Sequence, residues 1–347
     1  MRLLICLLVL ISTSLHGQKS STYTIRTIAF YNVENLFDTV NDSLTFDDDR
    51  TPEGSYHWTE ERYNVKVSQI SKVLSKIGEE TSKTSPDVIG LCEVENRKVV
   101  EDLVQHPNLL EKDYGIVHFD SPDGRGIDVA LLFKKESFLP TSFKSHRLLL
   151  FDDMGERVYT RDQLVVGGTM DQEEVYFIVN HWPSRRGGTA ASSPKRVRAA
   201  LLNKRIIDSI RTINWMAKVI SMGDLNDDPT DKSLTKILKT KGKPQQLDSL
   251  DLFNPMEKLY RKGIGSLAYR DKWNLFDQFF MTSNLINADK TELTFWKAGI
   301  YSPSFLRTQK GKYKGYPIRT YSGGSYTGGY SDHFPSYIFL IKQSNPQ

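Results

Sequence analysis

The sequence predicts a layered α/β fold with β-strands in the middle of the molecule. Short runs rich in β-branched and aromatic residues recur along the 347-residue chain, and several are apolar at successive positions, as in strands covered on both faces. Two longer segments place apolar residues at helical spacing. Because strands alternate with helices and a strand-rich last third follows, we expect one domain in which helices cover β-sheets.

The predicted strands are the runs that combine β-branched or aromatic residues with few charges. Cys92 lies in one of them, "VIGLC", so we expect a buried thiol that is inert as a nucleophile. In chain order the predicted strands are residues 23–33, 87–94, 127–133, 175–182, 217–226, 276–282 and 337–341.

Two helices are predicted from their apolar stripes and from their end signals. The first covers residues 59–78 and ends at Gly78, a residue suited to the left-handed position after a helix. The second covers residues 192–210, with Ser193 as the N-cap and Pro194 at the first helical position.

The N-terminus, "MRLLICLLVLISTSLHGQ", predicts a secretory signal peptide over residues 1–17. One Arg precedes an apolar run from Leu3 to Ile11, and small and polar residues follow up to Gly17. The run is too short to cross a bilayer, and a retained N-terminal anchor is the alternative. We therefore expect cleavage near residue 17 and export to the periplasm or the extracellular space.

Charge and cysteine content narrow the class of protein. The net charge of +4, from 46 Lys and Arg against 42 Asp and Glu, is too small to diagnose nucleic-acid binding by itself. Without the signal peptide only Cys92 remains, so the core and not disulfide bonds must stabilise the chain. No second hydrophobic segment is long enough to span a bilayer, and we expect a monomer.

Acidic, amide and imidazole side chains follow the ends of five predicted strands, and another pair closes the chain. Singly, each residue has an ordinary interpretation as a turn residue, a solvated charge or a packed loop histidine. In a layered sheet, however, loops at one edge bring such residues into one cleft. The residues are Asn32, Glu93, His181, Asp224, Asn226, Asp277 and, in "GYSDHFP", Asp332 and His333.

Asp277 is the residue of this group that is least easily explained as an ordinary exposed acid. It is flanked by Leu275, Phe276 and Phe279, and an unpaired acid in apolar surroundings costs several kcal/mol, about what a large pKa shift corresponds to. It needs a hydrogen-bonded partner, and a histidine such as His333 is a natural one.

Together these residue types fit the hydrolysis of a phosphate ester. That reaction needs a cationic clamp on the phosphoryl oxygens, a positioned water and stabilisation of the leaving oxygen. Glu93, with Asn32 or Asp332, offers the hard oxygen ligands that suit Mg²⁺, with Mn²⁺ or Ca²⁺ as alternatives. Asp224 can accept the proton of the attacking water.

The remaining groups would bind or polarise the phosphate. Asn226 can donate to a phosphate oxygen, and His181 offers a second donor on the opposite side. Asp277 would keep His333 protonated and oriented. Two Gly-flanked arginine segments, with Arg125 in "SPDGRGID" and Arg185 or its neighbour in "PSRRGG", could contact phosphate, or could be ordinary exposed loop charges.

Other chemistries fit the sequence less well. The chain has no Gly-x-Ser-x-Gly elbow, no Walker loop and no Cys/His pair at zinc-finger spacing. The Gly-rich segments "SRRGG" and "YTGGYSDH" do not lead from a strand into a helix, so neither predicts a dinucleotide-binding loop.

Seven blocks of the chain resemble, in order, those of the endonuclease/exonuclease/phosphatase superfamily. The resemblance covers residues 24–342 and implies one domain with a four-layer α/β sandwich of two packed mixed β-sheets. The superfamily includes deoxyribonucleases, abasic-site endonucleases, inositol polyphosphate phosphatases and neutral sphingomyelinases. The blocks are "FYNVENLFD", "DVIGLCEVEN", "DSPDGRGIDVALLF", "VNHWPSRRGG", "MGDLNDDP", "FDQFFM" and "GGYSDHFP".

The resemblance also implies roles for individual residues. Asn32 is similar to the first-strand amide, Glu93 to the metal-binding glutamate and His181 to the catalytic histidine of the deoxyribonucleases. Asp224 and Asn226 match the Gly-Asp-x-Asn block, Asp277 matches the acid that pairs with the last histidine, and Asp332 and His333 match the closing Ser-Asp-His. In deoxyribonucleases a glutamate orients the His181-type histidine, and no residue of this chain can be assigned to that role.

The sequence therefore predicts a metal-dependent phosphoester hydrolase, in the first place an exported nuclease acting on nucleic acid. One alternative is a phosphatase or phosphodiesterase that acts on inositol phosphates or phospholipid head groups. The basic and aromatic segment 296–326 fits both, since it could stack bases or rest on an anionic membrane. A catalytically inactive binding module on the same fold is the alternative of another class.

Overall fold

Two six-stranded mixed β-sheets form the centre of the computed structural model, which describes residues 22–286 and 288–344. The predicted signal peptide, residues 1–17, lies outside the described residues. Every predicted strand is present, and strands that the sequence did not predict complete both sheets.

The strands carry the labels used below in chain order. They are β1 (Tyr23–Leu36), β2 (Val88–Val94), β3 (Tyr114–His118), β4 (Asp128–Lys134), β5 (Phe138–His146), β6 (Leu150–Phe151), β7 (Arg157–Val158), β8 (Gln163–Met170), β9 (Glu173–His181), β10 (Lys218–Asp224), β11 (Leu252–Phe253), β12 (Leu267–Tyr269), β13 (Lys272–Asn274), β14 (Asp277–Thr282), β15 (Thr294–Ile300), β16 (Tyr321–Ser322), β17 (Ser325–Tyr326) and β18 (Ser336–Gln343). The α-helices are α1 (Glu60–Lys76), α2 (Glu79–Ser82), α3 (Arg97–Gln105), α4 (Thr189–Ile213) and α5 (Met256–Tyr260).

The first sheet has the strand order β15-β18-β1-β2-β4-β3, and the second has the order β11-β14-β10-β9-β8-β5. Each sheet contains one parallel pair, β1 with β2 and β9 with β10, among antiparallel neighbours. The short strands form three hairpins, β6–β7, β12–β13 and β16–β17. The parallel pairs lie at the centre of their sheets, so the ends of these four strands come together at one edge.

The central strands are apolar on successive positions because both of their faces are buried. In β1, Ile28 and Phe30 pack into the core between the two sheets, whereas Ala29 and Tyr31 pack against the outer helices. The helices α1 and α3 cover the first sheet, and α4 covers the second. The resulting order of helix, sheet, sheet and helix confirms the predicted four-layer α/β sandwich.

The first predicted helix agrees closely with α1. Thr59 caps its N-terminus by accepting a hydrogen bond from the backbone N–H of Arg62 at 3.4 Å. Gly78 follows the C-terminal cap with a φ of 77°, a left-handed conformation that glycine adopts without steric cost.

The prediction for the start of the second helix was wrong. Helix α4 begins at Thr189, more than one turn before the expected N-cap Ser193, and Pro194 lies inside the helix. A buried guanidinium explains the earlier start, because Arg196 donates to the carbonyl of Thr189 at 3.1 Å and to the Ser192 hydroxyl at 2.8 Å. These bonds stabilise the first turn, which precedes Pro194, a residue that lacks the N–H that the second turn of a helix normally donates.

Arg196 also ties α4 to the loop that follows β10. Its side chain is 0% exposed, and its Nε donates to Asp227 Oδ1 at 2.5 Å. The second oxygen of Asp227 accepts from the hydroxyl of Ser233 at 2.7 Å. The loop is therefore held against the helix by a buried ion pair whose polar atoms are largely satisfied.

Among the described residues no helix combines the length and the apolar character needed to cross a membrane.

Arg196→Met should lower the free energy of unfolding by about 3–5 kcal/mol, because it leaves the buried Asp227 carboxylate without its closest cation and with only the longer contact to Arg185 at 3.5 Å. Lys204→Met on the exposed side of α4 removes only a surface pair with Asp208 and should cost about 0.5 kcal/mol or less. Urea unfolding followed by circular dichroism measures both values. Equal effects of the two substitutions would show that the Arg196 pair does not stabilise the fold.

Candidate active site

Two irregularities at the ends of β1 and β2 turn polar side chains into the cleft between the sheets. The pairing of β2 shifts register between Cys92 and Val94, so that Glu93 is the extra residue of a bulge, with a φ of 63°. The pairing of β1 shifts just after Asn32. Bulges of this kind redirect a side chain, and positive φ at a residue other than glycine is often found at functional sites.

The second sheet presents three polar residues side by side without any bulge. Asp224, the last residue of β10, is in register with His181 on β9 and with Asp277 on β14. His181, Asp224 and Asp277 are 4%, 3% and 0% exposed. The strand pairing alone therefore places two carboxylates and an imidazole together in a region from which water is largely excluded.

Asn32 joins the two sheets at this edge. Its amide Nδ2 donates to Glu93 Oε1 at 3.3 Å and to Asp224 Oδ2 at 3.1 Å, while its Oδ1 accepts from the backbone N–H of Glu34 at 2.9 Å. A backbone donor, Asn35 N–H, holds the other oxygen of Glu93 at 3.0 Å. The amide thus fixes two carboxylates that would otherwise repel one another.

His181 lies between the same two carboxylates. Its Nε2 is 3.8 Å from Glu93 Oε1 and 3.7 Å from Asp224 Oδ2, distances too long for hydrogen bonds. Its Nδ1 is buried and has no hydrogen-bond partner among the described residues. Burial, aided by the positive charges of Arg161 and Arg125, lowers the pKa of His181 well below its usual value, so the ring is neutral at pH 7.

His333 has the opposite charge preference. Its Nδ1 lies 2.7 Å from Asp277 Oδ2, and its Nε2 lies 3.9 Å from Asp224 Oδ2. Burial lowers the pKa of His333, but the charges of Asp277 and Asp332 and the hydrogen bond to Asp277 outweigh burial and raise this pKa well above its usual value. The structure therefore brings a protonated imidazole and a neutral one to opposite sides of Asp224.

Asp224 carries a carboxyl group poised near neutral pH. Burial is the main cause that raises its pKa to about 7, and the negative charges of Asp277 and Glu93 add to it, against the opposing effect of His333. Its Oδ1 accepts from the backbone N–H of Asn226 at 2.9 Å. A carboxylate with such a pKa can take up a proton from a nucleophilic water.

Sequence reasoning missed a salt-bridge network beside this cluster. Arg319 donates to Asp332 Oδ2 at 2.8 Å and to Glu34 Oε1 at 3.3 Å, and the other oxygen of Glu34 accepts from Thr320 N–H at 2.7 Å. Lys66 of α1 holds the same loop by donating to the Thr320 hydroxyl at 2.5 Å. Only the basic composition of segment 296–326 hinted at this arrangement.

The two arginines predicted to bind phosphate, Arg125 and Arg185, differ in exposure and in their hydrogen-bond partners. Arg125 is about half exposed, with its Nε 3.5 Å from Asp123. Arg185 donates to the carbonyl of Asn226 at 2.8 Å and to Asp231 at 2.7 Å, so its guanidinium braces the loop after β10. Direct phosphate binding by any of them stays a prediction.

A second group of possible metal ligands lies on the same edge of the first sheet. His118, Asp120 and Asp128 place ligand atoms within 4.8 Å of one another. Asp128 pairs with Val94, the residue after Glu93. Asp128 is already engaged, since its Oδ2 is 3.1 Å from His118 Nε2 and its Oδ1 accepts from Ser121 N–H at 2.8 Å.

A family model described as "Endonuclease/Exonuclease/phosphatase family" matches residues 27–342. A comparison with curated protein sequences finds no match.

Several solved structures share the fold at low sequence identity. A mannosyl-6-phosphatase from Bacteroides thetaiotaomicron is similar at 17% identity, with a TM-score of 0.54 over 91% of this chain and 99% of that one. TDP2 from D. rerio, solved with a single-strand DNA product, is similar at 15% identity, with a TM-score of 0.54 over 91% and 99%. Truncated TDP2 from Caenorhabditis elegans reaches a TM-score of 0.55 at 15% identity over 91% and 97%. At such identities the likeness concerns the fold alone.

Asp277→Asn should lower the pKa of His333, because it removes the carboxylate that bonds to Nδ1 and favours the charged ring. Protonated His333 would then be lost at a lower pH than in the unchanged protein. An NMR titration of the imidazole resonances measures this shift directly. The exposed substitution Asp208→Asn on α4 serves as the control. An unaltered His333 pKa in Asp277→Asn would contradict the pairing.

Proposed function

The chain belongs to the endonuclease/exonuclease/phosphatase family, and from that premise we propose that it is a metal-dependent phosphodiesterase that cleaves nucleic acid. The observation that carries this proposal is the pair of imidazoles, one protonated and one neutral, that flank Asp224 beside Glu93. Such a set of charges matches the requirements of phosphoester hydrolysis, in which a base, donors to the phosphoryl oxygens and a cation act together.

The donor set beside Glu93 fits a hard divalent cation. Glu93 is only partly exposed, its Oε1 faces the cleft, and Asp332 contributes a second carboxylate close to His333. Oxygen donors with few protein ligands are typical of Mg²⁺, which retains several waters. Asn32 turns its NH₂ group toward Glu93, so it positions this ligand while its own oxygen is engaged by Glu34. Bound there, Mg²⁺ would supply positive charge to the phosphoryl oxygens.

Asp224 is the group that accepts a proton from the attacking water. Its pKa of about 7 lets it exist as a carboxylate at neutral pH and still take up a proton. The nearby cation of His333, 3.9 Å away, favours the ionised form. A carboxylate form of Asp224 is therefore present at neutral pH to act as the base.

The two imidazoles donate to the phosphate from opposite sides. His333 is protonated at neutral pH, so its Nε2 can donate to an oxygen on which negative charge develops. For His181, the tautomer with its proton on Nε2 is favoured, because no acceptor among the described residues lies at Nδ1. His181 thus acts as a neutral donor beside Glu93 and Asp224, without an acid behind it.

A series of rings next to the site favours nucleic acid over a small phosphorylated substrate. Tyr56 and Tyr321 meet edge to face with ring centroids 4.9 Å apart, and Tyr321 meets Tyr326 at 5.4 Å. Tyr321 lies two residues after Arg319, which bonds to Asp332. Tyrosine rings beside a phosphate-binding cleft can stack on bases, an interaction worth about 1–3 kcal/mol per base.

We also propose that the protein is exported, because residues 1–17 have the layout of a signal peptide. N-terminal sequencing of the protein recovered from its native compartment would detect cleavage near residue 17, and an intact N-terminus would refute it.

The purified protein should nick plasmid DNA in the presence of Mg²⁺ and lose this activity in EDTA. The same assay should include single-stranded DNA, RNA, inositol phosphates and sphingomyelin, with Mg²⁺, Mn²⁺ or Ca²⁺. Phosphate release from inositol phosphates with intact DNA would assign the chain to the phosphatase alternative. No turnover of any substrate would favour a binding module.

His333→Ala and Asp224→Ala should each reduce turnover by about 10²–10⁴-fold, the range for the loss of an acid–base or charge-stabilising group. The folded state should be retained, as judged by circular dichroism. Asp208→Ala on the exposed side of α4 is the matched control and should be fully active. Near-normal activity of either active-site variant would refute the roles assigned to these residues.

A further inference from the structure

Arg50 carries a guanidinium group that no carboxylate neutralises. It ends a 3₁₀ turn, Asp48–Arg50, in the connection between β1 and α1. Its aspartate neighbours are engaged elsewhere, since Asp48 accepts from Asn41 at 3.0 Å and Asp49 accepts from Ser55 at 2.7 Å. In the described part of the chain, Arg50 makes ring contacts and long-range charge interactions, and no side-chain hydrogen bond or ion pair.

Two aromatic rings hold this guanidinium in place. Its Cζ lies 4.9 Å from the ring centroid of Phe37 and 4.7 Å from that of Tyr56. Stacking on rings satisfies the faces of the planar cation and leaves its five N–H donors at the edge. The Tyr56 ring is itself braced by Tyr321, whose hydroxyl donates to the Tyr56 carbonyl at 2.8 Å. The cation is thus oriented by packing and free to donate to an anion.

The loop of Arg50 lies against the loop of Arg125. The backbone N–H of Phe46 donates to the carbonyl of Gly124 at 2.8 Å. A Cβ atom at Gly126 would lie 2.9 Å from Thr45, which shows how closely the two loops approach. Arg125 is about half exposed and reaches Asp123 only at 3.5 Å. Adjoining loops therefore carry two cations, Arg50 without an ion pair among the described residues and Arg125 with a long one.

Both cations also lie near the proposed phosphate site. Burial lowers the pKa of Arg50, the charge of Glu93 raises it, and the charge of Arg125 lowers it, so the three groups act on one another. The positive charge of Arg125 likewise lowers the pKa of His181. Two arginines that repel one another beside the cleft are stabilised when an anion binds between them.

We propose that Arg50 and Arg125 bind a second phosphate group of the substrate, adjacent to the phosphate that is hydrolysed at Asp224. Guanidinium groups suit this role because their edges donate two parallel hydrogen bonds to phosphate oxygens. The inference rests on the proposed phosphoester hydrolysis and specifies the substrate as one with two neighbouring phosphates. A polynucleotide and a multiply phosphorylated small molecule share this chemistry.

The test compares two chromogenic substrates that differ only in the second phosphate. Thymidine 5′-(4-nitrophenyl phosphate), with and without a 3′-phosphate, releases nitrophenol in both cases. Arg50→Gln should lower kcat/KM about 10–100-fold for the substrate that carries the 3′-phosphate, the range for one charge-assisted hydrogen bond, and leave the other substrate almost unaffected. An equal effect on both substrates, or no effect, would overturn the subsite.

Two further variants separate binding from structure. Arg125→Gln removes a half-exposed side chain whose ion pair with Asp123 is 3.5 Å long, and it should show the same selective loss as Arg50→Gln. Arg211→Gln is the charge control, because Arg211 lies at the end of α4 and donates to Leu250. Arg211→Gln should change neither substrate. A selective loss in Arg50→Gln that Arg125→Gln does not share would exclude the two-arginine subsite.

Inhibition distinguishes the two sources of the second phosphate. Stronger competition by short oligothymidylate than by thymidine 3′,5′-bisphosphate assigns the subsite to a polynucleotide, and the reverse order assigns it to a small phosphorylated molecule. If neither chromogenic substrate turns over, the proposed function fails separately. Calorimetric binding of thymidine 3′,5′-bisphosphate then decides the subsite: weaker binding by Arg50→Gln supports it, and equal binding refutes it.

Discussion

The hydrogen bonds of one amide, that of Asn32, hold together the site on which this account depends. Glu93 and Asp224 come from facing sheets, and both are partly or fully removed from water. Two carboxylates in such surroundings repel one another, unless donors or cations lie between them. The NH₂ group of Asn32 provides the donor, and the bulge at Glu93 provides the approach. The packing of the two sheets thereby fixes the positions of the Glu93 and Asp224 carboxylates relative to each other.

From this arrangement follow the different proton affinities of the neighbouring groups. His181 has cations nearby and no acid behind its Nδ1 in the described structure, so burial leaves it neutral. His333 has Asp277 at hydrogen-bond distance and stays protonated. Asp224 lies between them with a pKa of about 7. Because their surroundings give these groups different pKa values, one group can act as the base while the others act as donors within the same cleft.

Much of the site could be predicted from the sequence because it lies where apolar runs end. His181 and Asp224 directly close such runs, and Asp277 is conspicuous among apolar neighbours. Contacts of the loops could not be predicted. Arg319 reaches Glu34 across 285 positions of the chain, and the ring stacking of Arg50 depends on how its loop folds back. The start of α4 was mispredicted because Arg196, which is paired with Asp227, bonds to Thr189 and Ser192, and these contacts outweigh the local cap signal.

The central claim is that Glu93 and its neighbours hold a divalent cation at the meeting point of the two sheets. Anomalous diffraction from crystals soaked in Mn²⁺ tests it most directly. The account predicts a peak about 2.0–2.5 Å from a carboxylate oxygen of Glu93, the range of hard cations with oxygen ligands. A peak at His118, Asp120 and Asp128 with none at Glu93 would contradict it.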